Sequence, residues 1–179
     1  MVRGAVAGAV AAAVWVAAEP LGRRVFRTQY SIVRLLGALL TARAPWRRVG
    51  IAAHLANGAF FGAIFGRMSG GGWRQGLVVA EIENLLLWPA MAIVDRIHPD
   101  RRSGSWPPLM WSPRVFALEA TMHALFGVVL GLLHPAARDR NRLGHPIGSG
   151  SSVRVLGRAQ ATQQPRRRTA RGGRRPIGR

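Results

Sequence analysis

The chain has 179 residues and a net charge of +19, and its 26 cationic side chains are all arginine. Apolar residues make up 49% of it, and cysteine is absent, which excludes disulfide scaffolds, thiolate nucleophiles and cysteine-ligated metal centres. A chain that is both oily and strongly basic is expected to divide into apolar segments and charged connections.

Four apolar segments predict membrane-spanning helices, at 4–18, 49–68, 76–94 and 115–133. The last three match the ~20 residues that a helix needs to cross about 30 Å of hydrocarbon. The first is shorter and meets Glu19-Pro20, where proline removes a donor and disfavours the preceding turn. We interpret it as a retained helix that stops there. A cleaved signal peptide beginning near Arg3 is the alternative.

The remaining segments complete the predicted architecture. Residues 25–42 are apolar in patches around Arg27 and Arg34, which favours an interfacial amphipathic helix, or else a solvated connection. Beyond Pro135 the composition turns to Gly, Ser, Pro and Arg, which is typical of disorder. The expected fold is all-α: a polytopic membrane helix bundle (1–135) of about four transmembrane helices plus one interfacial helix, then a disordered arginine-rich tail (136–179).

The distribution of arginine predicts which connections face the cytoplasm, and the positions of tryptophan predict where the segments meet the membrane surface. The 22–48 and 95–114 connections hold seven and four arginines, against two in the 67–75 connection and one before the first helix, which places the longer connections in the cytoplasm. Cleavage of the first segment would reverse the side of the tail, so the sidedness stays open. Indole rings favour the headgroup zone; those near segment ends are Trp46, Trp73, Trp106 and Trp111.

Two segments share the pattern His-x-x-x-Gly-x-x-x-Gly. Residues four apart lie on one helix face, so each segment carries a glycine groove, and such grooves allow close helix packing in lipid. An ungapped offset of 69 residues superposes the two patterns, which suggests an internal duplication. The predicted packing glycines are Gly58, Gly62, Gly66, Gly127 and Gly131.

Polar side chains inside the apolar segments are the functional lead, because an ionisable group in hydrocarbon costs at least ~2.5 kcal/mol and needs a partner. Glu119 and His123 are one turn apart, and His54 lies at a similar depth on a parallel helix. Glu83 is expected to point away, toward an interface. The predicted buried polar cluster is His54, Glu81, Asn84, Glu119 and His123, with Glu81 at its edge.

This polar cluster is compatible with several functions. Proton or small-ion handling follows from the Glu119–His123 pair, since a carboxylate beside an imidazole can keep, share or pass a proton. Interhelical hydrogen bonds of only ~0.6 kcal/mol each are the structural alternative. We assign no catalytic residue, metal ligand or cofactor, because the signatures of soluble enzymes are missing. A haem between His54 and His123, or a metal ion held by these two with Glu119 and Glu81, are further alternatives.

The expected partners follow from composition. The bilayer is the first, and glycine faces would support a homo-oligomer. The tail would suit anionic lipid or an anionic polymer, but it has no aromatic residue for base stacking, which disfavours nucleic acid.

The order of these features resembles the YagU-like bacterial inner-membrane proteins, which are multi-pass and without an assigned activity. The likeness covers about residues 4–133. It rests on a small-residue first helix running from Gly4 to Pro20, a second helix with His54, the Trp73 to Leu77 motif Trp-Arg-Gln-Gly-Leu, and Glu-x-x-x-His at Glu119 and His123. The resemblance implies a location in the bacterial plasma (inner) membrane and a helical fold, more than a mechanism.

Overall fold

The computed structural model describes residues 1–41, 45–68 and 71–134, and every regular element in these ranges is helical. The predicted tail at 136–179 lies outside them. The helices are α1 (Val2–Val25), α2 (Ile32–Leu40), α3 (Trp46–Phe65), α4 (Trp73–Leu87), α5 (Met91–Ile97), α6 (Pro99–Arg102) and α7 (Pro113–Leu133), with a 3₁₀ turn, Trp88–Ala90, between α4 and α5.

Four helical stretches are long and apolar enough to cross a membrane: Val2–Val25, Trp46–Phe65, Trp73–Ile97 and Pro113–Leu133. The all-α, multi-pass expectation is therefore confirmed. The third span is α4, the 3₁₀ turn and α5 taken together. The turn falls at Pro89, whose missing N–H prevents a regular helix from continuing unchanged.

The end predicted for the first helix is wrong. Helix α1 continues through Pro20 to Val25, because the neighbouring helices hold it, as they can hold proline inside a transmembrane helix. Its buried stripe extends from Gly4 to Gly22 and includes Glu19. The predicted interfacial helix is correspondingly shorter, since α2 begins only at Ile32.

Two antiparallel helix pairs are packed through glycine. In the pair α1/α3, a Cβ added at Gly58 would lie 2.6 Å from the Ala12 Cβ, and one at Gly8 would clash with the Gly58 carbonyl. In the pair α4/α7, a Cβ at Gly127 would lie 2.9 Å from the Ala80 Cβ and would clash with the Gly76 carbonyl. Each pair thus repeats a Gly-x-x-x-Ala ridge facing a glycine, the arrangement that an internal duplication would leave.

The two pairs are joined on one side only. Helix α1 packs along α7, whereas α3 and α4 share no extended contact. A twofold axis relating the pairs would match the α1/α7 contact with an α3/α4 contact, so the space between α3 and α4 is where the bundle departs from symmetry. Helix α2 packs on α3, where Gly50 lies against the backbone of Val33 and Gly37.

The arginine-rich connections meet at the end of the bundle where α1 ends and α7 begins. Arg34 of α2 binds Asp100 of α6 through two hydrogen bonds, of 2.7 and 2.9 Å. The Asp95 carboxylate accepts the backbone N–H groups of Leu109 (2.8 Å) and Met110 (3.0 Å). These contacts tie both long connections into one cap over the helices.

Trp106 was expected to lie in the headgroup zone near the end of a span, but it is buried in the cap. It is 4% exposed, and its ring stacks on the His98 imidazole with 4.4 Å between centroids. Burial lowers the pKa of His98, so this ring remains a neutral part of the cap. Trp111, by contrast, is largely exposed.

Candidate functional site

A cavity of about 260 Å³ opens between α3 and α4, where the helix pairs are not joined. Its walls are mainly apolar and come from α1, α2, α3, α4, the 3₁₀ turn, α5 and α7. The lining residues are Trp15, Ile32, Leu36, His54, Asn57, Gly58, Phe61, Glu83, Asn84, Leu87, Trp88, Met91, Glu119, His123 and Phe126. An apolar cavity with a few converging polar groups is the usual form of a small-molecule site.

Four of the five residues predicted for the polar cluster line this cavity: His54, Asn84, Glu119 and His123. The fifth, Glu81, does not line it, although it interacts with Asn84 one turn away on α4. Glu83, expected to point away, lines the cavity instead. Glu83 is adjacent to Asn84, and this side of α4 borders the space where α3 and α4 share no extended contact.

Glu119 and His123 form the centre of the cluster. Glu119 is 3% exposed, and its Oε2 lies 3.9 Å from the His123 Nδ1. The same Nδ1 is 2.8 Å from the Glu119 backbone carbonyl. A carbonyl oxygen only accepts, so Nδ1 carries the hydrogen, and the neutral ring keeps its lone pair on Nε2. The pair therefore offers a proton acceptor, Nε2, beside a buried carboxyl group.

The Trp15 indole connects the two histidines. Its ring packs edge-on against His54, with centroids 5.0 Å apart, and against His123, at 4.7 Å. Both imidazoles therefore face the bundle interior rather than lipid. A haem held by His54 and His123, the alternative raised from the sequence, would have to share the surroundings of both imidazoles with this indole.

Glu19 is a member of the cluster that sequence reasoning missed, because it was read as the end of α1. Its carboxylate accepts a hydrogen bond from the Ser31 hydroxyl (3.0 Å) and one from the Ile32 N–H (2.6 Å). It is close enough to Glu119 for the two carboxylates to repel each other when both are charged. The signal was present in the spacing, since Gly8, Ala12, Trp15 and Glu19 follow one helix face.

Tyr30 lies between the two carboxylates. It is fully buried, and its hydroxyl interacts with Glu119 without forming a well-aligned hydrogen bond. Burial raises the pKa of Tyr30 well above its usual range, and the charges of Glu119 and Glu19 raise it further. The hydroxyl consequently stays protonated and serves as a neutral donor next to Glu119.

The cluster reaches solvent at the arginine-rich end. A surface depression of about 390 Å³ includes Ser31, Arg23 and Arg34 in its lining, and Ser31 donates directly to Glu19. Arg23 attracts Glu19 from one turn further along α1. Buried polar groups thus follow one another from this surface through Ser31, Glu19, Tyr30 and Glu119 to His123.

The other half of the bundle carries no such groups. From the level of Gly58 and Gly127 to the far end, the residues buried between the helices are small or apolar within the described ranges. The buried residues of this half include Gly4, Ala7, Gly8, Ala11, Gly62, Phe65, Gly76, Phe126, Leu130 and Gly131. The polar path therefore ends in the middle of the bundle.

Metal binding finds no support in the side-chain geometry. In the part of the chain that the structure describes, no three histidine or acidic side chains converge to hold a metal ion. The metal site suggested from Glu119, His123, His54 and Glu81 is not formed in this arrangement.

Comparison with known proteins leaves the assignment to the geometry alone. No protein-family model, no curated protein and no solved structure matches this chain.

Proposed function

We propose that this protein is a bacterial inner-membrane protein whose Glu119–His123 pair takes up and releases protons at one side of the membrane. The observation that carries the proposal is the one-sided row of buried polar groups, which reaches Glu119 and His123 from the arginine-rich end and stops there. Such a row can load and unload a proton. It does not offer a continuous route across the bilayer.

The arginine-rich end defines the side. Both arginine-rich connections lie at this end, and short connections rich in arginine remain in the cytoplasm. The proton is therefore exchanged with the cytoplasm. The YagU-like order of motifs agrees with a location in the bacterial inner membrane, and it contributes nothing to the choice of activity.

Direct counting of bound protons tests the proposal. Purified protein in lipid nanodiscs is mixed with a small pulse of acid in the presence of a pH-indicating dye, and the protons taken up per chain are compared between variants. The double replacement Glu119→Gln with His123→Gln is expected to lower the reversible uptake below that of wild type, because both exchanging groups are gone while the other acidic side chains remain. Glu81→Gln is the matched control, since it removes a carboxyl group outside the cavity.

Equal uptake by wild type and the double variant would refute the proposal. In sealed liposomes, wild type is also expected to give no more steady proton leak than empty vesicles, because the polar path ends at mid-bundle. A leak abolished by the same double variant would replace this proposal with a proton channel.

The alternative role for the glycines, assembly of copies of the chain, is not favoured. Gly58 and Gly62 face α1, while Gly127 and Gly131 face α4 and the residues just before it. These faces are occupied within the chain and are not free to pack against a second one.

A further inference from the structure

The cavity holds polar side chains at a depth where they need a partner. Asn57 is eleven residues beyond the start of α3 at Trp46, and Glu83 is ten beyond the start of α4 at Trp73, which places both roughly 15 Å along their spans. They stand on opposite walls of the opening between α3 and α4. No hydrogen bond or ion pair to either side chain is found within the described residues.

An amide and a carboxyl group left without partners in the middle of a bilayer are costly, and such groups usually mark a substrate or ion site. The lining adds a further unsatisfied group, because the His54 Nε2, on a residue 6% exposed, has no hydrogen-bond partner in this part of the chain. The cavity is thus built to receive something polar.

The charge of the cavity identifies the kind of occupant. Among the described residues, two carboxyl groups line it, those of Glu83 and Glu119, and no arginine does, although the chain carries 26 of them. A bound cation would be attracted by the carboxylates and would meet no opposing charge.

The remaining walls suit an organic cation rather than a metal ion. Trp15, Phe61, Trp88 and Phe126 line the cavity, and aromatic rings around an ammonium group are the usual means of recognising it. Metal ions need several converging oxygen or nitrogen ligands, and these are not assembled among the described residues. Helices α3 and α4 both belong to spans and share no extended contact, so an apolar ligand entering between them would come from the lipid.

We propose that this cavity binds a lipid-soluble organic cation, a tertiary or quaternary ammonium compound with an aromatic or alkyl body. The cationic group lies between the Glu83 and Glu119 carboxylates, and the apolar body lies against the aromatic walls. This site goes beyond the proton exchange proposed above and does not require it.

Binding of benzyltrimethylammonium to the protein in nanodiscs tests the proposal, with empty nanodiscs as the blank. Wild type is expected to bind the radiolabelled probe saturably. Excess neopentylbenzene, the uncharged isostere in which carbon replaces nitrogen, is expected not to displace it. Displacement by this excess of the isostere would show that only apolar volume is recognised and would overturn the proposal.

The variants identify the site. Glu83→Gln is expected to weaken binding about tenfold, as loss of one charge contact does, and Glu119→Gln to weaken it at least as much. Glu81→Gln, on the same helix but outside the cavity, is expected to bind as wild type does. Because Glu83 is partly exposed, its variant keeps the test valid even if Glu119→Gln misfolds.

Unchanged binding by Glu83→Gln, or no saturable binding by folded wild type, would overturn the proposal. So would a stable dimer in which Asn57 and Glu83 are covered by a second copy, detected as twice the chain mass in nanodiscs. Glu119 belongs to both proposed sites, so the two proposals are separated by Glu83→Gln, which alters the cation site and leaves the Glu119–His123 pair in place.

Discussion

The His123 imidazole is oriented by Glu119, the residue one turn before it on α7: Nδ1 lies 2.8 Å from the Glu119 carbonyl and 3.9 Å from its carboxylate. One residue thus fixes the tautomer with its backbone and supplies the neighbouring acid with its side chain. The ring is held with its Nε2 lone pair directed away from its own helix turn. This relationship is the basis of the proton exchange proposed for the cluster.

Glycine packing can be tested by adding single methyl groups along α3. A Cβ at Gly62 would lie 2.8 Å from backbone atoms of Gly8, where nothing can yield, whereas a Cβ at Gly66 would lie 3.3 Å from the Gly4 Cα. Gly62→Ala is therefore expected to destabilise the protein by roughly 1–3 kcal/mol, the usual cost of overpacking, and Gly66→Ala by much less. Thermal unfolding in detergent measures both, and equal losses would contradict the close α1/α3 contact.

Glu19 is expected to fix the beginning of α2. Its carboxylate accepts the Ile32 N–H at 2.6 Å and the Ser31 hydroxyl at 3.0 Å, so Glu19→Ala leaves a partly buried donor unsatisfied at a cost of about 1–3 kcal/mol. Hydrogen exchange at the Ile32 amide is expected to accelerate markedly. Exchange at amides in the middle of α7 serves as the internal control, and equal acceleration there would indicate general unfolding instead.

The Arg34–Asp100 pair predicts an acid-sensitive cap. The two hydrogen bonds from Arg34 hold the pKa of Asp100 below its usual range, so their stabilisation is full above the pKa of the unfolded chain, about 3.9. It is lost as the pH falls through the lower pKa of the folded state. Asp100→Asn is expected to cost about 1 kcal/mol near neutral pH, because the pair is partly exposed, and much less at the acid end.

Unfolding measured between neutral pH and pH of about 3 checks this difference. Arg102→Gln is the matched control, because Arg102 is exposed in the same short helix. A loss for Asp100→Asn that is the same at every pH would rule out the charged pair as its cause.

The sidedness proposed from the arginine-rich cap can be tested with single cysteine substitutions, because the chain has no cysteine. Ser105→Cys places a thiol at the arginine-rich end, and Met68→Cys places one at the other end; both positions are exposed. A membrane-impermeant maleimide is expected to label Met68→Cys in intact cells, and Ser105→Cys only after permeabilisation. The reverse pattern would move proton exchange to the outer side.

The sequence was sufficient for the four spans and the all-α class, because three of the four apolar segments had both the length and the hydropathy of a span. It failed at Glu19-Pro20, where a local rule for proline gave way to packing against α3 and α7. It also failed for Glu83, because the missing α3/α4 contact is a tertiary feature. Helix spacing and similar depth were enough to predict which four residues lie together, namely His54, Asn84, Glu119 and His123.

Infrared spectroscopy of the Glu119 carboxyl group tests the central claim most directly. A protonated carboxyl group has a C=O stretching band that disappears on ionisation, so spectra are recorded across a pH titration for wild type, Glu119→Gln and Glu81→Gln. Proton exchange predicts a reversible band present in wild type and in Glu81→Gln and absent in Glu119→Gln. A titrating band that survives unchanged in Glu119→Gln would show that this residue does not exchange protons and would contradict the account.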